Sequence, residues 1–457
     1  MTLNRKLNIG ALVLNALVIE TCCCAQGTSP PDFQSLPSLS VSSCIKIALQ
    51  NGSKIKIAKA EREASRIQAD REGPSSAATP TLSAILSGTL QGPRVFYPYP
   101  GRNPAEVLPS ETARLDIIVE QILYRPGFKA AKGRYQSQLS LADLVFFKAM
   151  NDLALSVHKA YLDALRAESG LKISQEGVEA ALSFEKLALK QIETGHAKPV
   201  DAETVKAQVA EAQTGRTQAE GSLALARLNL NRLMGRPLTN ALSLEIISEV
   251  VSVPDSPELA IENALKNRVD LLLISEGMKS AKAGISLSQT LMQPILSLRG
   301  QLSEATPSAF QHEHYAAATI EIRLPILDGG KSRFDVQEAR AQASKLEATL
   351  EEATSGIQLE VRQAWLKLKE AQAKIAQSLV QQSGMEATER VAEKAYEVGQ
   401  GTVIEVRNAQ REARLAKERE RIARFELLAA DAEFRFAQGL LLDPKVMPGL
   451  LPGGKKK

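Results

Sequence analysis

Reactive side chains are scarce in this chain. Its 457 residues include four cysteines, four histidines and one tryptophan, and aromatic residues make up 4%. His158 has no cysteine or second histidine at ligand spacing. His312 and His314 flank Glu313 in a predicted loop, two imidazoles with no third ligand, which reads as a polar loop before it reads as a metal site. The sequence DGGK at 328–331 lacks the spacing and the hydroxyl residue of a phosphate loop. No catalytic constellation, cofactor site or metal site is expected. Charge of one sign is missing too: the formal net charge is +4, with no concentrated basic face for nucleic acid. After the first 25 residues there is no long uncharged apolar run, so no transmembrane helix is expected.

The N-terminus is different. Arg5 and Lys6 precede an apolar stretch from Leu7 to Ile19 and small residues up to Ala25, the layout of a secretory leader. Residues 1–25 are read as a signal peptide and 26–40 as a linker. Cys22, Cys23 and Cys24 leave open a lipid anchor in place of cleavage after Ala25; with cleavage only Cys44 remains, and no intrachain disulfide can form.

Self-similarity organises the rest. Gly195 and Gly399 lie 204 positions apart, as do Gly235 and Gly439, Ala160 and Ala364, and Leu123 and Leu327. IKIALQN from Ile45 matches IENALKN from Ile261. Each half reads helix, strand, strand, long helix, turn, shorter helix. The first repeat spans 41–240 with strands near 81–91 and 112–123. A connection covers 241–260. The second repeat spans 261–440 with strands near 294–304 and 315–327, and a tail covers 441–457. The helix from Lys331 to Val398 would be about 100 Å long at 1.5 Å per residue, with a narrow apolar seam through Ile357, Val361, Ala364, Leu368 and Ala371. The helix returning after Gly399 covers little more than half of it. Each long helix is therefore expected to pair with two short ones placed end to end, the second being the helix that opens the repeat.

The strands alternate sharply. Leu82, Ala84 and Leu86 oppose Ser83 and Ser87; Leu115, Ile117 and Val119 oppose Arg114, Asp116 and Glu120. Leu296, Leu298 and Leu302 oppose Ser297, Arg299 and Gln301; Ile320, Ile322 and Leu324 oppose Glu321 and Arg323. Soluble antiparallel sheets alternate in the same way, but each run is about 10 residues, enough to cross a bilayer at a tilt. Phe96, Tyr97, Tyr99, Phe310 and Tyr315 lie near one end, and Tyr124, Phe128 and Phe334 near the other, like two interfacial girdles. Four strands cannot close a barrel and an open edge cannot face lipid, so several copies must pool their strands, with Arg114, Asp116, Glu120, Arg299, Glu321 and Arg323 towards water. Pro126 and Gly127, and Pro325, Asp328, Gly329 and Gly330, mark the two crossings from strand to helix.

On these features, on LPILDGGK and its weaker twin QILYRPGF, on KAYEVGQGTVIEVRNAQ at the second turn, and on the endings NRLMG and RFAQG, the mature chain resembles the TolC-like outer-membrane efflux protein family. The resemblance implies an α+β membrane protein: a homotrimer with a shared barrel of twelve strands, four from each chain, in outer-membrane lipid, continued by a helical coiled-coil tunnel through the periplasm. It also implies passive conduction of small toxic molecules delivered by a periplasmic adaptor and an inner-membrane pump. Adaptor contacts carried over to the hairpin tips would be Thr194, Gly195, Val200, Val398, Gly399, Thr402 and Val403. Acidic residues near the tip that could close the tunnel are Glu393, Glu397 and Glu405. Protein export through a type I secretion system is the alternative within this fold, and a periplasmic coiled-coil scaffold or adaptor is the alternative outside it.

Overall fold

The computed structural model describes residues 38–73, 79–90, 92, 95–98, 100–101, 105–108, 111–194, 198–247, 251–306 and 314–442. The expected leader with Cys22, Cys23 and Cys24, together with Tyr99, Gly195, His196, Phe310, His312 and the tail from 443, lies outside these residues.

The first repeat runs α1 (Val41–Asn51), α2 (Ser53–Glu72), β1 (Thr81–Leu90), β2 (Val95–Tyr97), β3 (Ala105–Leu108), β4 (Glu111–Tyr124), α3 (Phe128–Glu193) and α4 (Pro199–Met234). The second runs α5 (Glu258–Asn267), α6 (Val269–Ser288), β5 (Ile295–Thr306), β6 (His314–Arg323), α7 (Lys331–Glu397) and α8 (Val403–Ala437). Strands β1, β4, β5 and β6 form one antiparallel sheet in that order, and β2 and β3 form a small ribbon in the loop between β1 and β4. The fourth strand stops at Arg323 and does not reach Leu327 as expected, because Pro325 has no N–H to give to a ladder.

The long helices α3 and α7 leave this sheet on either side of α6. Below the sheet the wall runs α2, α3, α6, α7; towards the hairpin tips it runs α4, α3, α8, α7. Helix α3 is thus flanked on both sides, and its buried residues extend from Ser137 to Ala188 on several faces. Helix α7 stands at an edge of the wall. Its buried residues Ile357, Val361, Ala364, Leu368, Ala371 and Ser378 keep to one seam with steps of three and four, and the seam passes to Ser378 while Leu379 turns outward. That drift is expected of a helix with 3.6 residues per turn.

The expected single helices that open each repeat are in fact broken once, between α1 and α2 at Gly52 and between α5 and α6 at Arg268, where ψ swings to 133° and 124°. The cause lies elsewhere in the chain. Helix α4 ends at Gly235 (φ 68°), and a Cβ added there would stand 2.3 Å from the Asn51 carbonyl oxygen. Helix α8 ends near Gly439 (φ 73°), whose Cβ would stand 3.1 Å from the Asn267 carbonyl. In each repeat the returning helix butts against the break in the opening helix, so two short helices line up along one long one. The main core gathers at this level: Cys44, Ala48, Met150, Leu153, Ala154, Val157, Leu230 and Met234 pack together. The Tyr161 hydroxyl donates to the carbonyls of Leu39 (2.8 Å) and Glu245 (2.6 Å), which ties the connecting segments to the wall.

Replacing Gly235 by Val should destabilise the fold by at least about 2 kcal/mol, since it adds a left-handed backbone penalty to a backbone clash. The same chain carrying Gly133→Ala, where a Cβ meets nothing within 4 Å, should gain about 0.5–1 kcal/mol. Thermal unfolding of the two variants beside the parent protein checks both.

Candidate functional site

The sheet is inside out by the standards of a soluble protein. In the register, Ser87, Arg114 and Ala305 are cross-strand neighbours, as are Asp116, Ser303 and Tyr315, and Glu120, Arg299 and Thr319. Arg114, Asp116, Glu120, Arg299, Glu321 and Arg323 therefore all fall on one face. That face is a connected polar surface. Arg114 Nε donates to Asp116 Oδ1 (3.0 Å) and its guanidinium also to the Tyr315 hydroxyl (2.8 Å). Ser303 and Gln301 donate to the same Asp116 oxygen at 2.6 and 3.0 Å. Arg323 pairs with Glu321 at 2.8 Å. Ser303 is only 5% exposed, whereas Leu86 on the opposite face is 79% exposed and Ile320 69%. The alternation is not strict, for Ile85 and Ile118 share the polar face with Asp116 and Ser83.

Among the described residues, both outer strands, β1 and β6, have a paired neighbour on one side only. Bare N–H and C=O groups on both edges and a bare apolar face together describe a fragment of a larger closed sheet. Among the described residues, no helix is long and apolar enough to cross a membrane.

The crossings from strand to helix use the same device twice. Gly127 and Gly330 sit at φ 79° and 83° immediately before α3 and α7, a left-handed conformation that turns a strand end onto a helix axis and favours glycine. At the second crossing, Asp328 supplies the cap: its carboxylate accepts from the amides of Gly330 (3.0 Å) and Ser332 (2.7 Å) and from the Ser332 hydroxyl. These bonds, the Ser332 hydroxyl first, hold the Asp328 carboxyl below the usual carboxylate range. The twin crossing has Arg125 and Pro126 instead, and a Cβ added at Gly127 would stand 2.6 Å from the hydroxyl of Thr290, just past the end of α6.

At the far end the two hairpins touch. Phe184, Ala188, Val205, Tyr396, Val403 and Val406 form a small core between them, with the rings of Phe184 and Tyr396 5.4 Å apart, and Gln191 Nε2 donates to the Glu397 carbonyl at 3.2 Å. Val403, expected among the tip contacts, is 3% exposed because it anchors this core. The outward residues are Thr194, Val200, Val398, Gly399 and Thr402, together with Ile404, which the sequence reading missed and which is 64% exposed. Ile404 could have been found from the helical step, since it lies one position beyond an inward valine on a helix whose start Thr402 fixes. Thr402 and Glu405 cap each other: the Glu405 amide donates to Thr402 Oγ1 (3.3 Å) and the Thr402 amide to Glu405 Oε2 (2.9 Å).

The three acidic residues singled out near the tip occupy three environments. Glu405 is held in that capping box, and Glu397 is exposed. Glu393 lies between the hairpins, where Gln410 donates to it at 2.8 Å and Gln208 of α4 donates to Gln410 at 2.9 Å. This chain of bonds borders a polar cavity of about 390 Å³ between the four helices, lined in part by Glu386, Glu389, Arg407 and Lys417. Burial, with the neighbouring Glu393 and Glu386 carboxylates, pushes Glu389 up. Lys417 pairs with Glu176 across the hairpins and Arg407 with Glu211 at 3.8 Å.

Three comparisons bear on this arrangement. Residues 260–440 match the family model described as outer membrane efflux protein. Protein CyaE of Bordetella pertussis is 25% identical over 304 residues, which cover 65% of this chain and 64% of that relative, just under two thirds of its length. Outer membrane protein TolC of Vibrio cholerae is 23% identical over 360 residues, covering 76% of this chain and 81% of that one. Among solved structures, the outer membrane protein VceC from Vibrio cholerae superposes with a TM-score of 0.70 at 16% identity over 87% of this chain and 96% of its own. The fold, sheet and helical wall together, is thus that of a solved outer membrane protein.

The Asp328 cap has a pH signature. Its folded-state pKa lies below the unfolded value near about 4, so its stabilisation is complete above the unfolded value and disappears as pH falls through the folded one. Amide exchange at Ser332, corrected for the intrinsic rate, should accelerate only in that acid window, and Asp328→Ala should show the faster exchange at every pH.

Proposed function

We propose that the chain is a member of the outer membrane efflux protein family, whose model matches residues 260–440, and that three copies form one passive duct across the outer membrane and into the periplasm. The observation that carries this reading is the sheet with its apolar face bare, its charged face hydrogen-bonded and both edges unpaired. Strands of 10 to 14 residues are long enough for a tilted crossing of the hydrocarbon layer. Three sheets of four strands would close a barrel wide enough to hold water. The Arg114, Asp116 and Tyr315 cluster and the Glu321 and Arg323 pair would then line the lumen, and Leu86, Ile117 and Ile320 would meet lipid. Below the barrel the wall of α2, α3, α6 and α7, passing into α4, α3, α8 and α7, would continue the passage as a tunnel.

Nothing in such a wall supplies energy, so work must come from elsewhere. We assign that role to an inner-membrane pump, reached through a periplasmic adaptor that grips the hairpin tips at Val200, Val398, Gly399, Thr402 and Ile404. The cargo in this reading is small toxic molecules. Glu393, between the hairpins, is the best placed of the acidic residues to influence how firmly they hold together.

Two experiments test the reading. Ile320→Arg should remove most of the oligomer from the outer-membrane fraction, because a charge on a lipid face costs about 2–4 kcal/mol at the midplane. Thr319→Arg on the polar face should leave it in place; equal tolerance would reverse the assignment of faces, and recovery in the soluble periplasmic fraction would end the duct reading. Gly399→Pro, at a position with φ 75° that proline cannot adopt, should abolish resistance to exported toxic compounds while oligomers persist in the membrane.

A further inference from the structure

Beside the polar cavity at Glu389, and farther from the tip, the cleft between the hairpins opens into a second cavity of about 940 Å³ enclosed by α3, α4 and α8. Arg166 of α3 and Arg414 and Arg421 of α8 line it. Arg421 is a buried cation that its own chain satisfies poorly. It is 8% exposed, and its Nε has no acceptor. Its Nη1 donates to the Arg166 carbonyl, while its Nη2 reaches the exposed Glu418 carboxylate only at 3.4 Å. Burial pulls the Arg421 pKa down, Glu418 opposes that pull and the Arg166 guanidinium adds to it. Of the other carboxylates on the lining, Glu211 is engaged by Arg407 at 3.8 Å, and Asp163 forms no ion pair among the described residues. A buried charge is costly unless a counter-charge completes it. Glycines make the room. A Cβ added at Gly170 would stand 3.3 Å from Arg421 Cζ, and one added at Gly177 would stand 3.5 Å from Arg414 Cδ. On the other side Gly215 of α4 lines the cavity, and a Cβ there meets nothing within 4 Å. Glycine weakens a helix interior relative to alanine; what these positions provide is space beside the arginines.

We propose that this cavity binds an amphipathic organic anion, with its acidic head on Arg421 and Arg166 and its apolar body along Ala167, Ile173, Ala212 and Leu415. The head group follows from the donors. A guanidinium presents a planar fork that matches a carboxylate, and here it stands in a protected site where such a bond competes little with water. The body follows from the volume and the floor. A cavity of several hundred Å³ suits a ligand of drug-like size, whereas an inorganic anion would leave most of it to water. Ala167, Ile173, Ala212 and Leu415 give that floor no polar side chain. Arg414, two helical turns nearer the tip, adds positive charge and can stack on an aromatic ring. Arg166 belongs to one hairpin and Arg421 to the other, so a ligand held by both would tie the hairpins together. The site lies within a single chain and does not rest on the trimer reading.

The test is calorimetric titration of the full chain, purified in an uncharged detergent, with empty micelles as the blank. Three probes are compared: naphthoate, the uncharged naphthylmethanol and inorganic phosphate. Naphthoate should bind saturably and raise the unfolding temperature. The alcohol, which lacks the charge, and phosphate, which lacks the body, should each bind weaker by about tenfold or more. Arg421→Gln should weaken naphthoate by about tenfold or more. The same variant without ligand should unfold at no lower temperature than the parent, because it removes a poorly compensated buried charge. Gly215→Phe, which fills the cavity and keeps every charge, should abolish naphthoate binding. No saturable binding by the parent, or equal binding of the alcohol, would overturn the proposal. Phosphate binding as tightly as naphthoate would overturn it as well, by showing a site for the head group alone. If Arg421→Gln proves less stable than the parent, Gly215→Phe decides: undiminished binding there sinks the site.

Discussion

Backbone hydrogen bonding at the sheet edges is the constraint on which everything else depends. A strand in hydrocarbon must give every N–H and C=O a partner, and each group left bare costs several kcal/mol. Strands β1 and β6 cannot meet that demand within one chain. The same incompleteness runs down the wall, where α2 and α4 stand at one side and α7 at the other. The molecule is therefore built as a sector. Its exposed apolar strand face and its sheet edges fit the proposed trimer, in which the sector is repeated around an axis.

Much of this was legible in the sequence because it is written in short periods. Alternation at Leu115, Asp116 and Ile117, or at Ile320, Glu321 and Ile322, states a strand and its faces without reference to any other part of the chain. The duplication at 204 positions carried the architecture from one half to the other, and the resemblance rested on junctions such as LPILDGGK. What escaped was long-range. The break at Arg268 has neither proline nor glycine in LKNRVD to announce it, and at Gly52 the Asn-Gly pair is only a weak local signal; both breaks coincide with the arrival of Gly235 and Gly439 from the ends of other helices. The burial of Val403 depends in the same way on Phe184 and Val205 of the other hairpin. Glu393, Glu397 and Glu405 looked alike in sequence, and only the packing of α4 and α8 told them apart.

The two crossings show how one task can be done with different residues. Asp328 caps α7 with side-chain oxygens, whereas α3 begins after Pro126 and a glycine with no room for a Cβ beside Thr290. The left-handed turn is kept in both copies and the chemistry around it is not. A repeat preserves geometry where the chain has no alternative and drifts where several solutions serve.

The pairing of β4 with β5 has a consequence for how the chain reaches its final state. Arg114 and Ser303, joined across that pair at 3.2 Å, are 189 residues apart in sequence. The hairpins α3 with α4 and α7 with α8, by contrast, are made from neighbouring segments and can close early. Contacts between distant segments repay their loop entropy late. The helical rods thus have the means to assemble while the strands are still two separate hairpins, each with its greasy face uncovered. In the proposed duct the strands would then close after the helical rods, and the wall would serve as the template that brings them to the bilayer in order.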